Sequence, residues 1–277
     1  MRKFLATLAV CALATPCLHA QSNLVARLQR RASIAQAKQP SWSVPLNQPY
    51  PMLIQVFRFD SSRQITPSGA PNWNYGVSKG LNIVPGFNSE FDFYPPSYFE
   101  HNSASRDGFG DPMFGYKYRF ASGNETHGNY ALAVQLTATI PTGSYSNGST
   151  DAVLGPTLEA GKGWGRFDII SCIGGSLPTG NLAKLGRSIA WNTTAQYKVG
   201  KYLWPEIESN ATYFYGGKND GKAQNFLEPG FTTSKFKLRP GTETSRIGLA
   251  FGAGIQIATS SFHAYNHQLV FTSRFIF

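Results

Sequence analysis

The stretch YNHQLVFTSRFIF, residues Tyr265–Phe277, carries bulky apolar side chains at alternate positions. Leu269, Phe271, Phe275 and Phe277 fall on one face, and Gln268, Thr272 and Arg274 fall on the other. Successive side chains of a β-strand point to opposite faces, so this pattern predicts a strand with one apolar and one polar side. An edge strand of a β-sandwich would alternate in the same way, and the rest of the chain has to distinguish a sandwich from a barrel.

Strand-length segments of similar character recur from Met52 to the end of the chain. They lie near residues 51–60, 73–83, 87–97, 109–121, 128–141, 151–161, 165–175, 187–199, 201–215, 225–236, 244–258 and 265–277. An even number of segments suits an up-and-down barrel whose two ends lie on one side of a membrane. The sequence therefore predicts an all-β fold, a transmembrane antiparallel up-and-down β-barrel of about 12 strands, within a range of about 10–14.

The connections between these segments favour a barrel over a sandwich. Long polar connections occur near residues 61–72, 98–108, 142–150, 176–186, 216–224 and 259–264. Most of the connections between them are shorter, such as Pro85-Gly86 and Gly200. Outer-membrane barrels have this asymmetry, with long outer loops and short periplasmic turns.

The first twenty residues predict a cleavable secretory signal. Arg2 and Lys3 precede an apolar stretch from Phe4 to Ala14, and small residues come before Gln21, which is the pattern of a signal peptide. The chain has 25 Lys and Arg against 15 Asp and Glu, and without Arg2 and Lys3 the balance is 23 to 15, or +8. The basic residues are scattered, without a recognisable nucleic-acid-binding motif. Export and this scatter together exclude nucleic acid as the expected partner.

Residues 21–50 differ in composition from the rest, so we divide the chain into a signal peptide (1–20), a basic periplasmic N-terminal segment (21–50) and an outer-membrane β-barrel (51–277). Arg27, Arg30, Arg31 and Lys38 lie in a stretch rich in Ala and Gln, and prolines follow. Terminal segments are usually loose, which favours a disordered lead-in. A short basic helix that plugs the barrel or docks a partner is the alternative.

Charged and amide side chains within the strand segments are predicted to line the barrel interior. An Arg or Lys on the lipid side costs about 2–4 kcal/mol at mid-depth, so such groups should face inward. The candidates are Glu90, Asp92, Lys117, Arg119, Gln135, Glu159, Glu206, Glu208, Glu228, Arg246 and Arg274. Opposed acids and bases either pair to fill a barrel or line an aqueous path, and a barrel of about twelve strands is compatible with both.

The sequence favours a protein that is not an enzyme and that needs no metal or cofactor. Cys172 is the only cysteine beyond the predicted signal, so no Cys/His cluster offers a metal site. No nucleophile-elbow or phosphate-loop motif is present. His101 and Ser103 have the spacing that some outer-membrane lipid hydrolases use, but they lie in a polar loop without an evident orienting carboxylate. A membrane-embedded lipid-modifying enzyme is therefore the less favoured alternative.

Five short phrases, in their order and spacing, resemble one family. They are Gly108-Phe109-Gly110-Asp111, Lys117-Tyr118-Arg119-Phe120, Ile140-Pro141-Thr142-Gly143-Ser144, Leu177-Pro178-Thr179-Gly180 and Pro205-Glu206-Ile207-Glu208-Ser209-Asn210. Across residues 86–230 the chain is similar to the outer-membrane protein family of the meta-pathway of phenol degradation. Members of that family are exported barrels labelled as outer-membrane transporters.

The resemblance implies a porin-like transporter in the bacterial outer membrane, in contact with lipid, that admits small solutes with hydrophobic or aromatic compounds among them. It also implies that Glu206 and Glu208 face the lumen. The final strand, ending at Phe277, resembles the terminal strands of outer-membrane barrels and is expected to engage the barrel-assembly machinery. The alternatives are a structural or surface-interaction barrel with a filled lumen, and a soluble secreted β-protein.

Overall fold

The computed structural model describes residues 26–238 and 247–277. Within these residues twelve antiparallel strands form one sheet, which closes because the first strand pairs with the last. The strands are β1 (Val56–Ile65), β2 (Pro71–Gly76 and Leu81–Ile83), β3 (Ser89–Tyr94 and Tyr98–His101), β4 (Gly108–Phe109 and Met113–Gly123), β5 (Tyr130–Thr139), β6 (Val153–Trp164), β7 (Phe167–Pro178), β8 (Arg187–Tyr197), β9 (Leu203–Tyr215), β10 (Ala223–Thr233), β11 (Gly248–Ala258) and β12 (His267–Ile276). A two-residue piece, Phe236–Lys237, extends the pairing of β10 with β11. The predicted fold class and the strand number of twelve are confirmed.

The alternation of side chains sets the two surfaces of the barrel. On β12, Phe271 and Phe275 are 47% and 40% exposed, whereas Thr272 and Arg274 are buried. The other strands place Phe, Leu, Ile and Tyr outward in the same manner. A lipid bilayer accepts such an apolar exterior and would not accept the charged side chains, so the polar face turns inward.

The first predicted segment, 51–60, is wrong in its boundaries, because β1 runs over Val56–Ile65. Residues 52–55 precede the wall, and Met52, Leu53 and Gln55 are buried inside the barrel. Pro51 and the apolar residues after it resemble a strand start in sequence, although they belong to the segment that leads into β1.

The two ends of the barrel differ, and we call them the turn end and the loop end. Connections at the turn end include the two-residue turn 165–166, between β6 and β7. Connections at the loop end include residues 140–152, between β5 and β6. Short helices, Leu182–Leu185 and Gly217–Asn219, lie in two of the loops. The first loop is shorter than predicted, covering 66–70 rather than 61–72.

Residues 26–55 form a helix and a hairpin at and inside the turn end. Residues 26–37 are helical, and Ala32 and Ala35 pack against Leu53 and Val84. Residues 39–55, which we call the lumen hairpin, rise to about mid-depth and return to β1. No helix in the described part of the chain is long and apolar enough to cross a membrane.

The structure thus differs from the disordered lead-in favoured above for residues 21–50, since residues 26–50 are ordered. The reason is that the hairpin carries Trp42, Leu46, Tyr50 and Met52, which gain apolar contacts inside the barrel. Basic residues dominate the composition before residue 39, so the composition of residues 21–50 as a whole does not indicate the apolar residues of the hairpin. The predicted signal peptide, residues 1–20, lies outside the described residues.

An arginine at the centre of the lipid-facing wall should destabilise the barrel. Leu158 lies mid-way along β6, is 49% exposed and is flanked on the lipid side by Val134 and Ile173. We expect Leu158→Arg to lower the free energy of unfolding by about 2–4 kcal/mol, because a guanidinium at mid-depth loses its hydration. The measurement is the fraction of SDS-resistant barrel across a urea titration. Leu158→Met is the matched control, and equal stability of the two variants would contradict a lipid-facing position.

Candidate functional site

The inner wall of the barrel carries the residues predicted to line the lumen. The structure places ten of them on this wall, each at most 9% exposed. They are Glu90, Asp92, Lys117, Arg119, Gln135, Glu159, Glu206, Glu208, Glu228 and Arg274. Arg246 lies outside the described residues. The lumen hairpin touches most of this set, so the wall faces an occupied interior.

Basic residues on one side of the lumen hold carbonyl groups of the hairpin. Arg274 donates from Nη1 to Val44 O at 2.6 Å and from Nη2 to Pro45 O at 2.9 Å. Arg58 donates to Pro45 O at 3.2 Å and also to the carbonyl oxygen of Leu46. Arg58 forms an ion pair of 2.6 Å with Asp60, which balances its charge. The hairpin carbonyls therefore meet positive charge.

Acidic residues on the neighbouring strands hold the N–H groups of the same turn. Leu46 N donates to Glu206 Oε1 at 2.9 Å. Asn47 N and Gln48 N donate to Glu208 at 3.1 and 3.2 Å. The Asn47 side chain donates to Glu228 Oε2 at 2.5 Å. Irregular backbone in a closed interior needs such partners, because each unpaired buried group is costly.

A second cluster fixes the returning arm of the hairpin. Lys117 lies 3.3 Å from Glu90 and 3.7 Å from Glu159, donates to Tyr50 O at 2.8 Å, and sits 4.1 Å from the centre of the Tyr50 ring. Ile54 N donates to Glu90 Oε2 at 2.5 Å. Lys117 thus links the glutamates of two strands, Glu90 and Glu159, to Tyr50 of the hairpin.

Glycines on the inner wall form two sockets for hairpin side chains. A Cβ atom at Gly161 would lie 2.5 Å from the ring of Trp42. A Cβ atom at Gly254 would lie 2.6 Å from Leu46 Cδ1, and one at Gly252 would lie 3.0 Å from Leu46 Cδ2. Contacts this close would force Trp42 or Leu46 to shift, so the absence of side chains at these wall positions lets the hairpin pack where it does.

At the turn end, the end of β4 and the connection that follows it hold the start of the hairpin. Ser41 donates from N and from Oγ to Glu125 Oε1, at 2.8 and 2.6 Å. Ser122 Oγ donates to Lys38 O at 2.8 Å, and Asn124 Nδ2 donates to Ala37 O at 3.0 Å. These contacts join residues 37–41 to a surface turn and leave the hairpin tip to the wall.

The hairpin separates two cavities within the described barrel. The cavity towards the turn end has a volume of about 240 Å³ and is bordered by Trp42, Tyr50 and Met52. The cavity towards the loop end has a volume of about 350 Å³ and is bordered by Asn47 and Gln48. The hairpin therefore lies between these two cavities.

Sequence reasoning missed several residues of this site, above all Arg58, Asp60 and Lys79. Lys79 Nζ donates to Asn47 O at 3.2 Å. Arg58 and Asp60 alternate with the outward Phe57 and Phe59, so the alternation that identified the other wall residues could have found them. The hairpin residues had no such signal, because their partners lie far away in the sequence.

His101 and Ser103, the residues of the enzymatic alternative, take part in separate loop contacts. His101 Nε2 lies 2.7 Å from Asn147 Oδ1. Ser103 Oγ accepts a bond from Ser105 N at 3.3 Å. Both lie at the loop end, away from the hairpin.

A closed twelve-stranded barrel with an apolar exterior and a polar interior is an integral protein of the bacterial outer membrane. The turn end then faces the periplasm and the loop end faces the cell exterior. The chain belongs to the family described as "Putative MetA-pathway of phenol degradation", whose model matches residues 54–266.

Solved outer-membrane channels and porins share the fold, among them two structures that cover most of this chain. One is an outer membrane channel from Pseudomonas putida F1, with 14% sequence identity and a TM-score of 0.55, covering 85% of this chain and 100% of the channel. The other is the NanC porin, with 9% identity and a TM-score of 0.50, covering 80% of this chain and 98% of the porin. No curated protein matches the chain.

Filling the Trp42 socket should loosen the hairpin. Gly161→Val places methyl groups where the Trp42 ring lies, and overpacking of this kind costs about 1–3 kcal/mol. Ser43 is buried, so a cysteine there, with Cys172→Ser to remove the native thiol, reports release. We expect Gly161→Val to speed maleimide labelling of Ser43→Cys at least about fivefold. In a Trp42→Ala background Gly161→Val should change the labelling rate little. An equal increase of the labelling rate in both backgrounds would refute the socket.

Release of the hairpin should also depend on Glu125, which lies outside the membrane-spanning strands. Burial raises the pKa of Glu125, but the hydrogen bonds from Ser41 outweigh it and hold the pKa below its ordinary value of 4.5. A lowered pKa in the folded state means that this stabilisation is complete above pH 4.5 and is lost as the pH falls through the lowered value.

At neutral pH we expect Glu125→Gln to increase the labelling of Ser43→Cys roughly two- to threefold, because an exposed hydrogen-bonded carboxylate contributes little. The ratio between the variant and the parent should approach one in acid. A dithiodipyridine reagent suits this measurement because it reacts with thiols at low pH. A ratio that does not change with pH would contradict the role of Glu125.

Proposed function

We propose that this protein is an outer-membrane channel for small solutes that its own lumen hairpin closes. The observation that carries the proposal is the way the hairpin is held. It lies across the barrel axis, bound by hydrogen bonds from Arg58 and Arg274 and to Glu206 and Glu208, rather than by strand pairing. Such contacts can be exchanged for water when the hairpin moves.

The polar wall behind the hairpin favours the interpretation of this protein as a conduit rather than as a permanently filled barrel. Removal of the hairpin would leave a lumen lined by Arg, Lys and Glu side chains, which water hydrates readily. The glycines at positions 161 and 254 also leave space on the wall that Trp42 and Leu46 of the hairpin occupy.

For the solute we propose small compounds, with hydrophobic or aromatic molecules as the first class to test. Membership in a family named for phenol degradation supports this class. The fold shared with an outer membrane channel from Pseudomonas putida F1 supports transport in general. We propose no enzymatic activity, because His101 and Ser103 are each engaged by other loop residues.

We also infer two steps that precede function. Residues 1–20 direct export and are removed, and the β12 strand ending at Phe277 is the segment that the barrel-assembly machinery recognises. The apolar outward face of β12, with Phe271 and Phe275, supports this inference. Assembly of a Phe277 deletion in cells would test it, since normal assembly would refute the role.

Planar-bilayer conductance tests the channel proposal. We expect the parent protein to be mostly closed and a variant lacking residues 21–50 to give long-lived current steps, because the deletion removes the blocking turn. Trp42→Ala/Leu46→Ala, which empties both sockets, should give openings of intermediate frequency and serves if the deletion fails to fold. A folded, hairpin-free barrel that stays silent would reject the channel and favour a structural barrel.

A reversible disulfide lock controls for indirect effects of deletion. Thr232 Oγ1 donates to Ser43 Oγ at 2.7 Å, so cysteines at these two positions face each other. In a Cys172→Ser background, oxidised Ser43→Cys/Thr232→Cys should show no openings, and reduction should restore the parental level. Each single cysteine is the matched control, and conduction through the oxidised lock would place the solute path elsewhere.

A further inference from the structure

The loop-end cavity is lined by neutral hydrogen-bonding groups. Its volume is about 350 Å³, and its floor is the hairpin tip, Asn47 and Gln48. Eight of the described residues around it are Asn or Gln, and none is charged. The lining of this cavity differs from the wall nearer the turn end, where the charged residues Glu208, Glu228 and Arg58 bond to the hairpin. A chamber with a neutral lining therefore lies directly outside the hairpin tip.

Three buried amide atoms of residues that border this chamber have no hydrogen-bond partner among the described residues. They are Gln48 Oε1, Gln224 Oε1 and Asn210 Nδ2, two acceptors and one donor. Most buried polar atoms in proteins are paired, so this set is complementary to a molecule with hydroxyl groups. The other amides are already engaged, as Gln64 Nε2 donates to Gln268 Oε1 at 2.6 Å.

An aromatic pair forms one side of the chamber. The rings of Phe226 and Tyr265 are stacked, with centroids 4.5 Å apart and planes at 18°. Tyr265 OH donates to Gln256 Oε1, and Gln256 Nε2 donates to Glu228 Oε2 at 3.1 Å, which fixes the tyrosine ring. Rigid rings offer a flat apolar surface for another ring.

We propose that the loop-end cavity is a binding site for small uncharged ring compounds that bear hydroxyl groups. The hydroxyls donate to Gln48 and Gln224 and accept from Asn210, while the ring lies beside the stacked pair of Phe226 and Tyr265. A charged ligand would lose its hydration without gaining a counter-ion there. A cavity of about 150 Å³ already accepts benzene, so a six-membered ring with hydroxyls fits.

The role of this cavity as the external site of a transport path rests on the proposed channel. Because Gln48 belongs to the hairpin, a bound solute would touch the blocking element itself. An aromatic diol and a monosaccharide share the required chemistry, and binding experiments separate these two sources.

Isothermal titration of the purified mature protein in detergent tests the site, with heats of transfer into empty micelles subtracted. The probes are catechol and glucose, compared with toluene, which lacks hydroxyls, and benzoate, which is charged. We expect catechol, glucose or both to bind at least about tenfold more tightly than toluene and benzoate. Catechol alone would identify an aromatic source, and glucose alone would identify a sugar.

Asn210→Leu and Gln224→Leu should each weaken binding of the favoured probe about three- to tenfold, because each removes one hydrogen bond. The matched control is Thr194→Val, which removes an unpartnered buried hydroxyl on β8 that does not border the cavity. Heat-dependent mobility in SDS gels verifies that each variant is folded. If a leucine variant fails to fold, the four-probe comparison on the parent protein still decides.

The site is refuted if neither catechol nor glucose binds, if toluene or benzoate binds equally well, or if both folded leucine variants bind like Thr194→Val. Binding is measured without a membrane. A protein that binds a probe but never conducts would therefore refute the channel and retain the binding site. Conduction without binding would refute the binding site and retain the channel.

Discussion

Backbone hydrogen bonding is the constraint on which this structure depends. In a bilayer no water reaches the N–H and C=O groups of a strand, so the sheet has to close, and pairing of β1 with β12 completes it. The same requirement governs the interior. The lumen hairpin has no regular pairing, and the wall supplies carboxylates for its N–H groups and guanidinium groups for its carbonyls. Four prolines, Pro40, Pro45, Pro49 and Pro51, reduce the number of donors that need a partner.

The charges of the wall are arranged so that the hairpin can remain neutral. Residues 39–57 contain no charged side chain, although they lie against buried acids and bases. Some wall charges pair within the wall, as in Arg58 with Asp60 and Lys117 with Glu90. Glu206, Glu208 and Arg274 instead bond to backbone groups of the hairpin. The hairpin therefore contributes only dipoles, and its shape is matched by the sockets at Gly161 and Gly254. Electrostatics and packing thus place the hairpin without tying it to the wall by an ion pair.

The barrel could be predicted from the sequence because alternation at period two directly reports which side of a strand meets lipid. Phe271 and Arg274 are assigned correctly by this rule, and so are Arg58 and Asp60 once it is applied to β1. The start of β1 was misplaced because Met52, Ile54 and Val56 alternate even before the wall begins. The hairpin could not be predicted in the same way. Leu46 packs at Gly254 and bonds to Glu206, more than 150 positions away, and glycines within strands ordinarily indicate bends.

The neutrality of the hairpin bears on whether it can move. Breaking a buried ion pair by removing one partner costs about 3–5 kcal/mol, because a charge is left uncompensated. A hydrogen bond to a charged group makes a net contribution to stability of only about 1.5–3 kcal/mol, and water can replace the bond. In the proposed opening, Arg58 would keep Asp60 and Lys117 would keep Glu90, while water would enter beside both pairs. A charged hairpin would leave unpaired partners at each contact. An uncharged segment bound by charged walls therefore has a specific closed position and no ion pair that must break before it can move, which is compatible with the proposed gate.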